Sequence, residues 1–325
     1  MVTKIWRSRV VLAVAVFFSF AGLERDADAL AINVPYAVKG HALTAQNGTA
    51  GSAVLFNNMF YFAYIAPDGN LAILADSNLG SGGQSVVYSY EIGIQALFGT
   101  ALVSYNGTLY LFYPHNYSSG NNYLAMITTT DGVHWSQEYF LAWPVDGTLK
   151  FSTPPAAVAW EGQILVYLNE QGGSLDQYNV VGTTVSGPYQ HFAGSATYST
   201  SRRPSATVWQ GRLCLAFSDA ANGGEMGMVT YTDATGWTSE TLTGSYGIPG
   251  IYPIASGGLE LVFPAISPNN HIYTILTTDG VTFNYWNYDS ASTTFHAAIP
   301  FSNWNLSSNW TFYVGENNEL FTVLE

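Results

Sequence analysis

The chain has 325 residues, of which only 10% are charged, with 9 Lys and Arg against 22 Asp and Glu. A soluble domain usually carries about 25% charged residues, and so few cations exclude a protein built to neutralise nucleic-acid phosphates. Aromatic residues at 15%, with 32 Gly and 13 Pro, exclude intrinsic disorder and favour strands and turns over helices.

The N-terminus reads as a secretory signal peptide over residues 1–29. Lys4, Arg7 and Arg9 precede an apolar run from Val10 to Gly22, and Ala27-Asp28-Ala29 supplies an A-x-A cleavage pattern. The run is short of the roughly 20 residues that span a bilayer, and no later segment is long enough. Cleavage removes Lys4, Arg7, Arg9 and Arg25 with Glu24, Asp26 and Asp28, leaving 296 residues with 5 basic against 19 acidic. The expected location is therefore extracellular, or periplasmic in a bacterium. An anionic membrane surface is not an expected partner, and an acidic polysaccharide would need a local basic patch. Cys214 is the one cysteine, so no internal disulfide forms. Sequons stand at Asn47, Asn106, Asn116, Asn305 and Asn309.

Residues 30–325 read as one domain made of repeats. Apolar hairpins recur in "SAVLFNNMFYFAYI" from Ser52, "ALVSYNGTLYLFYP" from Ala101, "AAVAWEGQILVYLN" from Ala156, "SATVWQGRLCLAFS" from Ser205 and "YPIASGGLELVFPA" from Tyr252. Each is read as two strands joined by a two-residue turn of the Asn-Gly kind. Taking the second turn residue as anchor gives Asn58, Gly107, Gly162, Gly211 and Gly257, at spacings of 49, 55, 49 and 46. A weaker copy, "NWTFYVGENNELFTVL", places Asn318 at the anchor after a gap of 61. Further strand pairs follow in "LAMITTTDGVHWS" from Leu124, "MGMVTYTDATGWTS" from Met226 and "IYTILTTDGVTFNYW" from Ile272. Four strands per repeat is the unit of a β-propeller blade. The expected fold is an all-β propeller of six blades, with five as the alternative. In the split last blade, Trp310 to Glu325 would supply the inner strands, and residues around Ile32 to Thr44 would close the ring.

The blocks "PSATVWQGRLCLAFS" and "TTDGVHWS" resemble the repeats of secreted lectin-like and sialidase-like β-propellers. The second block is similar to the Asp-box, Ser-x-Asp-x-Gly-x-Thr-Trp in outline, although Asp131-Gly132 and Asp279-Gly280 lack the intervening residue. Independently of the resemblance, Asp131, Asp233 and Asp279 read as turn residues that accept backbone N–H groups, with Trp135 or Phe283 packing back onto the blade. Phe56, Tyr105, Trp160 and Trp209 share one position before the hairpin turn, and read as a packing layer more than as sugar platforms. Cys214 reads as a core residue.

If the innermost strands begin on the ligand face, that face gathers the strand entries Ser52, Thr100, Pro154-Pro155, Arg202-Arg203-Pro204 and Tyr252-Pro253. Loops between second and third strands add Asp68, His115, Asn116, Glu170, Gln171, Asp219, Asn222, Glu225, Asn269 and His271. From these, Arg202, Arg203, His115, Asp219, Glu225 and Tyr252 are the candidate ligand-binding residues: guanidinium forks, acceptors and an aromatic ring suit sugars. Sialidases hold the substrate carboxylate with arginines from different blades, whereas Arg202, Arg203 and Arg212 all fall in one repeat here. Propeller glycosidases of the arabinanase type carry carboxylates at inner-strand starts, where this chain has Ser, Thr, Pro and Tyr. The expectation is a non-catalytic, lectin-like carbohydrate-binding protein whose partners are glycans or glycoproteins. Two alternatives remain open: a glycoside hydrolase using loop carboxylates, and a protein-interaction platform. No cofactor, metal or catalytic residue is assigned, since no phosphate loop, nucleophile elbow or Cys/His cluster is present.

Overall fold

The computed structural model describes residues 36–37, 51–76, 86–118, 121–142, 151–169, 175–189, 203–219, 225–232, 236–245, 250–254, 257–264, 271–293, 299–303, 308–314 and 320–324. The leader reading of residues 1–29, and Arg202, Glu170, Gln171, Asn222, Asp233 and Asn269, lie outside them.

All described elements are strands. β1 is Tyr36–Ala37. A first sheet holds β2 (Ser52–Phe56), β3 (Met59–Ile65), β4 (Asn70–Asp76) and β5 (Val86–Gln95). The second holds β6 (Ala101–Tyr105), β7 (Thr108–Ser118), β8 (Asn121–Thr129) and β9 (Tyr139–Ala142). In the third are β10 (Ala156–Trp160), β11 (Gln163–Asn169), β12 (Leu175–Val181) and β13 (Thr184–Tyr189), and in the fourth β14 (Ser205–Trp209), β15 (Arg212–Asp219), β16 (Glu225–Thr232) and β17 (Gly236–Ser245). A fifth sheet has β18 (Gly250–Pro253), β19 (Leu259–Pro264), β20 (His271–Thr277) and β21 (Asn284–Thr293). The sixth is β22 (Ile299–Asn303), β23 (Ser308–Val314) and β24 (Leu320–Leu324), with β1 at its outer edge.

The described residues thus form six four-stranded antiparallel sheets, five of them up-and-down meanders and the sixth a three-strand meander completed by β1. Their first strands adjoin in the cyclic order β2, β6, β10, β14, β18, β22 and back to β2, which is a propeller arrangement. β1 pairs with β24 through Tyr36 opposite Thr322, so the sixth sheet joins the two ends of the domain.

The hairpin turns explain the regularity. Asn57-Asn58, Asn106-Gly107, Glu161-Gly162 and Gln210-Gly211 all have positive φ at both positions, the geometry whose twist matches paired strands. Two details differ from the sequence reading. In the fifth sheet Pro253 pairs with Leu259, so the connection is five residues, closed by Ile254 N–H to Gly258 O at 2.9 Å. In the sixth, "NWTFYVGENNELFTVL" forms β23 and β24, the second and third strands rather than the first two. The missing first strand is β22, which pairs with β23, and the sequence between them holds no Asn-Gly pair to mark the hairpin.

The core lies between sheets. Tyr61, Ile65 and Ile73 of the first sheet pack with Leu109, Leu111 and Tyr113 of the second. Phe112 and Met126 meet Val166 and Leu168 in the next gap, then Leu165 and Tyr167 meet Leu215 and Phe217, and Cys214 and Ala216 meet Leu261 and Phe263. Each fully buried large side chain contributes roughly 1.5–3 kcal/mol. The repeated aromatics behave as a packing layer: Phe56 and Trp209 are buried, and Tyr105 and Trp160 are partly buried against the same clusters. Cys214 is fully buried, which pushes its thiol up to about 12.

The Asp-Gly turns are built as hydrogen-bond caps. Asp131 Oδ1 accepts from the N–H groups of Val133 and His134, both at 2.8 Å, and Gly132 N–H donates to Thr129 Oγ1 at 2.9 Å. Asp279 repeats the pattern with Val281 and Thr282. Gly132 is forced by contact as well as by its φ of 80°, because a Cβ there would stand 1.8 Å from the Tyr61 hydroxyl. Trp135 packs onto the first gap and Phe283 onto the fourth. No helix among the described residues is long and apolar enough to cross a membrane.

Candidate functional site

The end of the ring where the innermost strands begin is stitched by small hydroxyls. Ser52 Oγ lies 2.9 Å from Thr100 Oγ1, which donates to Ala63 O at 2.9 Å, and Ser205 Oγ accepts from Ile251 N–H at 3.1 Å. These bonds tie the first sheet to the second and the fourth to the fifth, fixing the strand entries that frame this end.

His115 sits near the far end of β7, opposite Tyr123 in the register, and bridges to Ala96 just beyond β5. Its position therefore belongs to the gap between the first and second sheets. His115 Nδ1 lies 2.6 Å from Glu138 Oε1, which also accepts from the Tyr113 hydroxyl at 2.8 Å. A carboxylate can only accept here, so the imidazole donates from Nδ1. Burial, then the Glu138 charge, pushes the Tyr113 hydroxyl far above its ordinary range, so it remains a fixed donor.

The His115 ring stacks on Tyr123 at 4.8 Å and 7°, and Phe140 stands edge-on to both, at 4.5 Å from Tyr123 and 6.0 Å from His115. Phe140 is 55% exposed, whereas the side chains of His115 and Glu138 are 18% and 17% exposed. An exposed ring held by two aromatic neighbours thus stands beside a carboxylate held by two donors. Nearby, Asn70 N–H donates to Asp68 Oδ1 at 3.0 Å and Gln95 Nε2 donates to Asn70 Oδ1 at 2.7 Å, giving the first sheet its own exposed polar edge.

The remaining candidates do not join this cluster. Arg203 precedes β14, and its Nη1 donates to the carbonyl of Gly51. Asp219 ends β15 and pairs in register with Glu225, which begins β16. Tyr252 is a buried residue of β18 whose hydroxyl donates to Glu260, so it presents no open ring face. Glu138 and Phe140 escaped the sequence reading because Glu138 ends an irregular stretch over residues 130–138 and Phe140 follows it. The signal available was apolar Phe140 beside apolar Leu141 in a strand, of which only one can face inward. Among the described residues no three His, Cys, Asp or Glu side chains converge as metal ligands.

No protein-family model and no curated protein sequence matches the chain. Solved structures do match in fold. A protein of unknown function from Dyadobacter fermentans superposes with a TM-score of 0.64 at 9% identity, over 90% of this chain and 98% of that one. The BP39L lectin from Burkholderia pseudomallei gives 0.63 at 12%, over 88% and 83%. The Aleuria aurantia lectin, described as a six-bladed β-propeller with a novel fucose recognition mode, gives 0.60 at 14%, over 84% and 90%. A GH43 β-1,3-galactosidase gives 0.50 at 10%, over 72% and 90%. At these identities the likeness is one of fold, a β-propeller that lectins and a glycosidase share.

Proposed function

We propose that this chain is a secreted, non-catalytic carbohydrate-binding propeller, and that Phe140, His115 and Glu138 form a sugar site in the gap between its first two sheets. The observation that carries this reading is the exposed Phe140 ring beside the Glu138 carboxylate. A neutral sugar presents an apolar face of C–H groups that lies on an aromatic ring, while its rim hydroxyls donate to a carboxylate. Glu138 is already oriented by Tyr113 and His115, so little ordering opposes binding. Lectin propellers among the fold neighbours support the class of ligand, and the leader-like N-terminus supports export.

Asp219 and Glu225 would add acceptors at the fourth sheet. The test is a neutral glycan array probed with the wild-type protein and with Phe140→Ala. Binding to one glycan family, reduced at least tenfold in the variant, is expected. A silent array with folded protein, or release of product from the bound glycan, would replace this reading with an interaction platform or a glycoside hydrolase.

A further inference from the structure

Arg203 is the one candidate whose surroundings ask for something the described protein does not supply. It immediately precedes Pro204 and β14, the innermost strand of the fourth sheet, whereas Gly51 immediately precedes β2, the innermost strand of the first. In the cyclic order of six inner strands these two are three places apart, on opposite sides of the ring. The bond from Arg203 Nη1 to Gly51 O therefore crosses the axis at the end where the strands begin. Gly51 is held from behind, since a Cβ there would stand 2.5 Å from Phe62 Cζ and 2.9 Å from Ala63 O.

The rest of the guanidinium is left over. Arg203 Nε is buried and has no partner. Burial alone lowers its pKa to about 10. A neutral carbonyl satisfies one of five N–H donors, and the guanidinium is only partly buried, so its outer edge stays open to a ligand while Nε lacks a partner. The adjacent third sheet also leaves polar atoms without partners at the same end, though these are a neutral hydroxyl and an amide acceptor. Tyr167 Oη and Asn169 Oδ1, two residues apart on β11, are both 2% exposed and unpartnered, and Tyr167 packs against the fourth sheet. Three of the four orphaned buried polar side-chain atoms among the described residues thus belong to these neighbouring sheets near the strand entries.

We propose that Arg203 is a carboxylate seat on the ring axis, and that its ligand is the carboxylate of an acidic sugar, a hexuronate. The free edge of the guanidinium pairs with both carboxylate oxygens in the forked geometry that arginine favours. Ligand charge then supplies what the fold withholds, in a protein whose mature chain has 5 basic residues against 19 acidic. Arg203 is the local cation that an acidic saccharide needs against so negative a background. This site is separate from the Phe140 gap and takes a different sugar class, so the two stand or fall independently.

The test is isothermal titration of the purified protein with galacturonate, galactose and acetate. Galacturonate is expected to bind, with galactose and acetate each at least tenfold weaker, and Arg203→Gln is expected to lose more than about tenfold in affinity, the worth of one charge-assisted bond. Phe140→Ala is expected to leave this binding unchanged. Should Arg203→Gln not fold, phenylglyoxal modification of Arg203 in the wild-type protein, read by mass spectrometry, is slowed by galacturonate and unaffected by galactose. No binding of galacturonate, equal binding of galactose or acetate, unchanged affinity in folded Arg203→Gln, or no protection of Arg203 would each overturn the proposal.

Discussion

In the gap between the first and second sheets, Tyr113, His115 and Glu138 satisfy one another at 2.6–2.8 Å, whereas at the axis Arg203 keeps one bond to a backbone carbonyl and a buried Nε with none. Both are polar groups placed in apolar surroundings, and they differ in whether the protein completes them. A completed cluster is rigid before any ligand arrives, so its exposed ring can act as a platform. An uncompleted one carries a free-energy deficit that a ligand of the right charge relieves.

That difference can be broken experimentally, beginning with the interior of the completed cluster. Tyr113→Ala removes a fully buried ring from the first gap and is expected to lower stability by about 3–5 kcal/mol in urea unfolding, the usual cost for a buried aromatic. Glu138→Ala leaves the Tyr113 hydroxyl without its acceptor and should cost about 1–3 kcal/mol by the same measurement. Arg203→Met sharpens the contrast, because removing a partly buried cation whose Nε has no partner is expected to change stability by less than about 1 kcal/mol without ligand. A loss comparable to that of Glu138→Ala would show the axis bond to be a structural strut.

The smallest expected effect concerns the exposed turns. The N–H groups of Thr282 and Val281 hold the Asp279 carboxyl at about 2, below its ordinary 3.8, and the His134 imidazole, then the N–H groups of His134 and Val133, hold Asp131 well below the ordinary range. Both folded values are depressed, so the contribution is present above about pH 4 and lost as pH falls through about 2. Asp279→Asn should flatten the fall of Tm with pH in that window, slightly, because the group is solvent-exposed. An unchanged slope would remove Asp279 from the account of acid stability.

Much of the architecture was legible because it is local. Asn106-Gly107, Glu161-Gly162 and Gln210-Gly211 announce their hairpins through a turn that needs two left-handed residues, and their spacing carries the repeat. Where that chemistry is missing, between β22 and β23, the sequence reading shifts by one strand and takes Asn318 for the anchor of the first hairpin. The site was legible only in part. The sequence puts His115 in the loop between second and third strands, whereas it lies on β7, and its meeting with Glu138 depends on how an irregular segment folds back across the sheet. Arg203 stood out among few cations, yet its acceptor at Gly51 is 152 residues away and is chosen by ring geometry, which no local pattern encodes.

The most direct measurement is a crystal structure of the protein soaked with the glycan that binds best on the neutral array. The account predicts a sugar ring lying on the exposed face of Phe140 with a hydroxyl within about 3 Å of a Glu138 oxygen. A sugar bound elsewhere, with the Phe140 face left in solvent, would contradict it.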